Sequence, residues 1–396
     1  MSRTFRLLIL NTDYPEFLCW LYAQHPGLEN EPYDEQMRSR NESLFGVADF
    51  YSSNLRRLGH EAWDIHANNE FMQRAWAREH GIRSDQPSGI LQHWIGMLQA
   101  TKRAMPKAPV RYLRRLLHPL VDSINGRPRW FYDILEAQIK HYKPDVLLNQ
   151  DMGISSRFLN EMKPHVRMLV GQIASPLPEG EEFGCYDLVI SSLPNFVEHF
   201  RRMRVPVELH RFAFEPKVLS HLSDGYAKIA ISFVGSLSQD HQTRVQLLEH
   251  LCARLGLKVW GREAGGLSKN SSIRQCYMGR AWGIEMYQIL YNSKMTLNHH
   301  IGVAESYANN MRLFEATGVG SLLVTDWKTN LAEMFKEGEE VVTYRTPEEC
   351  AELVRYFLEH DNEREAIARA GQKRTLREHT YYQRMQELGD IVHARL

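Results

Sequence analysis

A cation and a carboxylate stand three residues apart in Asn309-Asn310-Met311-Arg312-Leu313-Phe314-Glu315, just before Gly318-Val319-Gly320 and the apolar run 322–324. Spaced i and i+3, Arg312 and Glu315 share one face of a helix. Asn309 or Asn310 can cap its start, and the free N–H groups and positive dipole end at Met311 and Arg312 favour a phosphate. Gly318 and Gly320 end the helix where a Cβ would be costly. The apolar run reads as a buried parallel strand, so in outline this is a nucleotide site on a helix-to-strand unit.

The elements that must hold this unit alternate along most of the chain. Residues 7–10, 61–66, 145–149, 166–173 and 187–191 read as strands, and 43–58, 130–141, 155–162 and 195–203 as helices. A stretch without strong elements at 211–216 is the expected hinge. A second series follows, with strands at 229–234, 258–260, 295–298, 322–325 and 341–344. Its helices are expected at 243–255 and 284–291, around Arg312, at 348–360 and at 363–393. Strands alternating with helices indicate parallel sheets. The expectation is an α/β chain with two Rossmann-like, doubly wound domains facing across a cleft. The first spans 1–213 with a helical insertion at about 70–130, the second spans 214–378, and a closing segment at 379–396 returns to the first.

Ligands of doubly wound sheets bind at the carboxyl ends of strands, and several reactive side chains fall there. The turn Gly235-Ser236 follows 229–234 and is small enough to let backbone approach a phosphate. Arg262 follows the strand at 258–260. His299 and His300 end the strand at 295–298, where consecutive side chains point to opposite faces, so at most one of them meets a ligand. Asp13 and Asp151 follow the strands at 7–10 and 145–149. Either could act as a general base, and either could equally form a turn. Lys294 could face a phosphate or end the preceding helix, where a cation suits the dipole.

A chain of 396 residues is long enough for two or three domains. Its net charge is +0 with 24% charged residues, which disfavours bulk binding of nucleic acid. Five scattered cysteines lack metal-ligand spacing, and an odd count without a signal-like segment leads to the expectation of reduced thiols and a cytoplasmic protein. No apolar run approaches the roughly 20 residues needed to span a bilayer. The segment 91–130 is basic and aromatic, with Lys102, Arg103, Lys107, Arg111, Arg114 and Arg115 among Trp94 and Tyr112. It reads either as a lid over the cleft or as a peripheral contact with anionic lipid at the inner membrane face.

The run Ser293-Lys294-Met295-Thr296-Leu297-Asn298-His299-His300, followed by Arg312 and Phe314-Glu315-Ala316 with Gly320, resembles the C-terminal half of nucleotide-sugar glycosyltransferases of GT-B architecture. In particular it resembles the CgeB-like, spore-maturation-protein type group, over about residues 229–388. The resemblance implies transfer of a sugar from a nucleoside-diphosphate donor to a glycan, lipid-linked or protein acceptor, in the synthesis of polysaccharide or glycoconjugate. It implies that Glu315 accepts the ribose hydroxyls. Base and ribose would then lie near Arg262, Arg280 and Glu315, and the pyrophosphate near Met311 and Arg312 with Ser236 and Lys294. Many retaining members carry a glutamate eight residues before Glu315. Here that position is Tyr307, which leaves the stereochemical outcome open.

Charge growing on a leaving diphosphate can be neutralised by a metal or by cationic side chains. The chain has no Asp-x-Asp pair, so the expectation is a metal-independent enzyme without a cofactor. The rival readings are an epimerase or hydrolase acting on nucleotide sugars, and a non-catalytic nucleotide-sugar-binding assembly factor.

Overall fold

The computed structural model describes residues 4–83, 127–177, 183–225, 228–238, 241–262 and 264–396. The chain builds two parallel sheets of six strands. The first contains β1 (Arg6–Asn11), β2 (Glu61–His66), β3 (Val146–Asn149), β4 (Met168–Gln172), β5 (Leu188–Ser191) and β6 (Val207–Leu209), ordered β2-β1-β3-β4-β5-β6. The second contains β7 (Ile229–Val234), β8 (Leu257–Trp260), β9 (Tyr277–Gly279), β10 (Ser293–Asn298), β11 (Leu322–Asp326) and β12 (Val342–Tyr344), ordered β12-β11-β10-β7-β8-β9.

Continuous apolar strands arise because helices cover both faces of such sheets. In β1, Leu7 and Ile9 enter one buried cluster while Leu8 and Leu10 enter another. The first of these clusters is shared between the sheets, joining Leu7 and Ile9 to Phe214, Phe314, Leu323, Tyr381 and Met385. The last helix, Tyr381–His393, completes it by packing on the helix Phe50–Arg57, with the Tyr381 ring centroid 5.3 Å from Phe50 and 5.5 Å from Tyr51.

Two elements differ from the expectation. The helix expected at 43–58 begins only at Phe50, because Leu44, Gly46 and Ala48 take left-handed φ values of 56°, 62° and 40°. The helix expected at 363–393 divides at His379, where Thr380 starts a new helix with a capping box to Gln383 and pairs through its backbone with Phe214. Gly318 is the last residue of the helix Arg312–Gly318, as expected. Its missing side chain admits Phe214, whose ring atoms would lie 2.4 Å from a Cβ there. Gly320 supplies the turn itself, at φ 86°.

No helix among the described residues is long and apolar enough to cross a membrane. Most of the basic segment 91–130, with its lid or lipid-contact reading, lies outside the described residues.

Candidate functional site

Strand order reverses at two points, between β1 and β3 and between β7 and β10. At such a point the flanking connections run to opposite faces of the sheet and leave a crevice at the carboxyl edge. The β7/β10 crevice is bordered by Gly235-Ser236 and His299-His300. The β1/β3 crevice is bordered by the loops carrying Asp13 and Asp151. The two edges are tied together, since Asn309 Nδ2 donates to Ser192 Oγ at 3.2 Å and Asn195 Nδ2 donates to the Val303 carbonyl at 3.0 Å.

A polar network fixes the second edge. Arg244 donates to the His299 carbonyl from Nε and Nη2 at 3.2 and 2.7 Å, and to the Ser236 carbonyl from Nη1 at 3.1 Å. It thereby binds the two sides of the crevice to each other. Asn310 Nδ2 donates to Asn298 Oδ1 at 2.7 Å, while its own Oδ1 accepts from Leu313 N at 3.3 Å and so caps the helix. Met311, half-buried, is the residue on which that helix begins. Arg312 reaches back across the edge, with Nη2 donating to the Val234 carbonyl at 3.1 Å and Nη1 lying 2.7 Å from Glu315 Oε2. Among the described residues the buried Arg312 Nε has no hydrogen-bond partner, and the second Glu315 oxygen makes only a 3.5 Å contact with the Tyr287 hydroxyl, so acceptor capacity remains on it.

The two histidines differ, as alternation along a strand requires. His300 is buried, its Nδ1 2.7 Å from Asp326 Oδ1, which also accepts from the His300 backbone N–H at 3.1 Å. Asp326 thereby holds His300 through both its ring and its backbone, and among the described residues the ring Nε2 has no hydrogen-bond partner. Burial opposes ionisation of Asp326, but His300, His299 and Lys328 outweigh it and hold the carboxyl well below the usual range. His299 is partly exposed, its ring nitrogens 3.0 Å from the Tyr344 hydroxyl and 3.3 Å from Thr243 Oγ1. Burial lowers its pKa, with Arg244 acting in the same sense against the nearby Asp326.

Two residues expected in the site are corrected. Lys294 stands at the amino end of β10, opposite the crevice, where its Nζ lies 3.3 Å from Asp361. Asp13 lies at the expected edge but is buried, with Oδ1 2.5 Å from Arg40 Nη2 and Oδ2 3.0 Å from His66 Nδ1. Burial would raise its pKa, yet Arg40 and His66 together hold the carboxyl far below the usual range. Such a carboxylate is a poor proton acceptor at neutral pH. Asp151 takes the turn-forming role, with Oδ1 accepting from Gly153 N at 2.9 Å and Oδ2 paired with Arg127.

Arg262 follows β8 and crosses to the other half of the chain, its guanidinium carbon 3.7 Å from the Tyr14 ring centre. Arg280 is exposed just beyond β9. Asn298, Asp326 and Tyr344 also belong to the second edge. All three end strands, the same signal that pointed to His299, but only the strand order reveals which strand ends meet at the crevice. Among the described residues no group of three or more His, Cys, Asp or Glu is placed to hold a metal ion.

Comparison with known structures decides the fold. A glycosyltransferase from Rickettsia africae superposes with a TM-score of 0.55 at 11% identity, covering 99% of each chain. The protein has the GT-B glycosyltransferase fold. HepE of Anabaena in complex with UDP-glucose superposes at a TM-score of 0.54 and 11% identity, covering 98% of this GT-B chain and 100% of HepE. Sucrose-phosphate synthase of Thermosynechococcus elongatus gives 0.53 and 11%, with 99% of each chain covered. Residues 242–390, most of the second half, match the family model described as glycosyl transferase-like. No curated protein matches the GT-B chain in sequence.

Proposed function

We propose that this protein transfers a hexose from a nucleoside-diphosphate donor to an acceptor hydroxyl, and that it does so without a divalent metal. The observation that carries the reading is the β7/β10 crevice. Arg312 is held there by Glu315 and the Val234 carbonyl, with no partner on Nε among the described residues, beside the Gly235-Ser236 turn. A guanidinium fixed before the reaction stabilises a leaving diphosphate without reorganising. The free acceptor capacity of Glu315 suits the two ribose hydroxyls. Support for the donor class comes from the Anabaena protein of the same fold, solved with UDP-glucose and with UDP and glucose. The run 293–316 favours membership of the CgeB-like group.

The acceptor, a glycan, lipid-linked or protein hydroxyl, enters from the first sheet. Asp13 and Asp151 are both committed to cationic partners. The hydroxyl oxygen therefore attacks the anomeric carbon as the bond to the diphosphate breaks, and the hydroxyl proton passes to a leaving phosphate oxygen. Ser236 and the half-buried face of His299 line the path of that leaving group.

The test is release of nucleoside diphosphate from a panel of nucleotide sugars, with and without sugar acceptors, in EDTA. Acceptor-dependent release that persists in chelator supports the reading. Release that is independent of acceptor indicates a hydrolase, and activity abolished by EDTA but restored by Mg²⁺ or Mn²⁺ overturns metal independence.

A further inference from the structure

Arg262 and Tyr14 come from opposite halves of the chain. Tyr14 follows β1 at the carboxyl edge of the first sheet, and Arg262 follows β8 at the carboxyl edge of the second. The guanidinium carbon lies 3.7 Å from the ring centre, in face contact. Among the described residues no carboxylate pairs with Arg262.

The ring is a fixed platform despite being 48% exposed. Its centroid lies 6.0 Å from that of Phe45 and 6.4 Å from that of Trp282. Trp282 is itself buried among Phe17, Leu18 and Leu21. Pro15 begins the helix Pro15–Gln24, and the Tyr14 carbonyl accepts from Phe17 N at 2.9 Å, which sets the backbone beneath the ring.

A stacked guanidinium is held through its face, leaving the in-plane N–H donors at its edge free. A carboxylate partner would occupy those donors and cancel the charge. An aromatic partner thus orients a cation at a site for an anionic ligand without neutralising it. We propose that Tyr14 is a positioning residue for the donor nucleotide: its π face, supplied by the acceptor-side half, holds Arg262 with its N–H edge toward the nucleotide portion of the donor. The proposal rests on the nucleotide-sugar reading of the β7/β10 crevice and adds that the donor site is completed across the cleft.

The test is calorimetric titration with whichever of UDP, GDP, ADP or dTDP binds the wild-type protein most tightly. Tyr14→Ala and Tyr14→Leu should each weaken binding about two- to fivefold, the range for an exposed cation–π contact, while Tyr14→Phe keeps near wild-type affinity. Arg262→Ala should weaken it at least as much, and adding Tyr14→Ala to Arg262→Ala should cost nothing further, because the ring acts through the guanidinium. Thermal unfolding checks that each variant is folded. Wild-type affinity in both Tyr14→Ala and Tyr14→Leu overturns the proposal, as does the same loss from Tyr14→Ala in the Arg262→Ala background. If none of the four nucleotides binds the wild-type protein, the donor-site reading itself fails and this inference falls with it.

Discussion

Arg312 Nη1 lies 2.7 Å from Glu315 Oε2, and the two side chains are only 13% and 6% exposed. The pair is thus a largely buried ion pair beside the cluster that joins the two sheets, and it is also the centre of the proposed donor site. On that proposal, stability and binding are coupled through it. Removing one member strands the other charge in an apolar setting, which typically costs about 3–5 kcal/mol. Arg312→Ala and Glu315→Ala should each lower the denaturant midpoint substantially, and the double variant should be less destabilised than the sum of the two. Strict additivity in a double-mutant cycle would show that the two residues do not act as a unit.

Asp13 makes a second buried pair, with Arg40 and His66. Its folded pKa is depressed, so the stabilisation is fully present above the unfolded value of about 4 and is lost as pH falls below that value toward the folded one. Asp13→Asn should therefore destabilise the protein at pH 7 and flatten the acid limb of its stability profile. Denaturation curves between pH 3 and 7 measure both effects. An unchanged acid limb would mean that the Arg40 contact contributes nothing.

Asp64 behaves in the opposite sense. Buried on β2 and hydrogen-bonded by Ser52, its carboxyl is pushed up to about 7, chiefly by burial. Between about pH 4 and 7 the unfolded chain ionises this group while the folded chain keeps it protonated. Stability should fall as pH rises there, by at most about 1.4 kcal/mol per pH unit. Asp64→Asn, which cannot ionise, should remove that slope and leave a flatter melting profile. A wild-type slope surviving in the variant would place the titration elsewhere.

Much of the architecture is legible in the sequence because strands covered on both faces are written as unbroken apolar runs, as at 7–10 and 322–324. The short edge strands β6 and β9 are not, since three residues such as Val207–Leu209 carry no period. Asp13 and Lys294 show the limit at the site. Proximity to a strand end was readable for both, but Lys294 sits at the amino end and Asp13 is claimed by Arg40, 27 residues away in sequence. Which cation finds which carboxylate depends on how helices fold over the edge. The crevice between β7 and β10 is likewise a property of strand order, and no local signal around Gly235 or His299 encodes it.

The central claim is that the β7/β10 crevice binds a nucleoside diphosphate through Arg312 and Glu315. Calorimetric titration of a panel of nucleoside diphosphates into the wild-type protein and Glu315→Gln tests it most directly, because the amide preserves volume while removing the charge that holds Arg312 and strengthens the accepted hydrogen bonds. Losing one such bond costs about 1.5–3 kcal/mol, so at least one nucleotide should bind the wild type and bind the variant roughly ten- to a hundredfold more weakly. Equal affinity in the two proteins, with both folded, would contradict the claim.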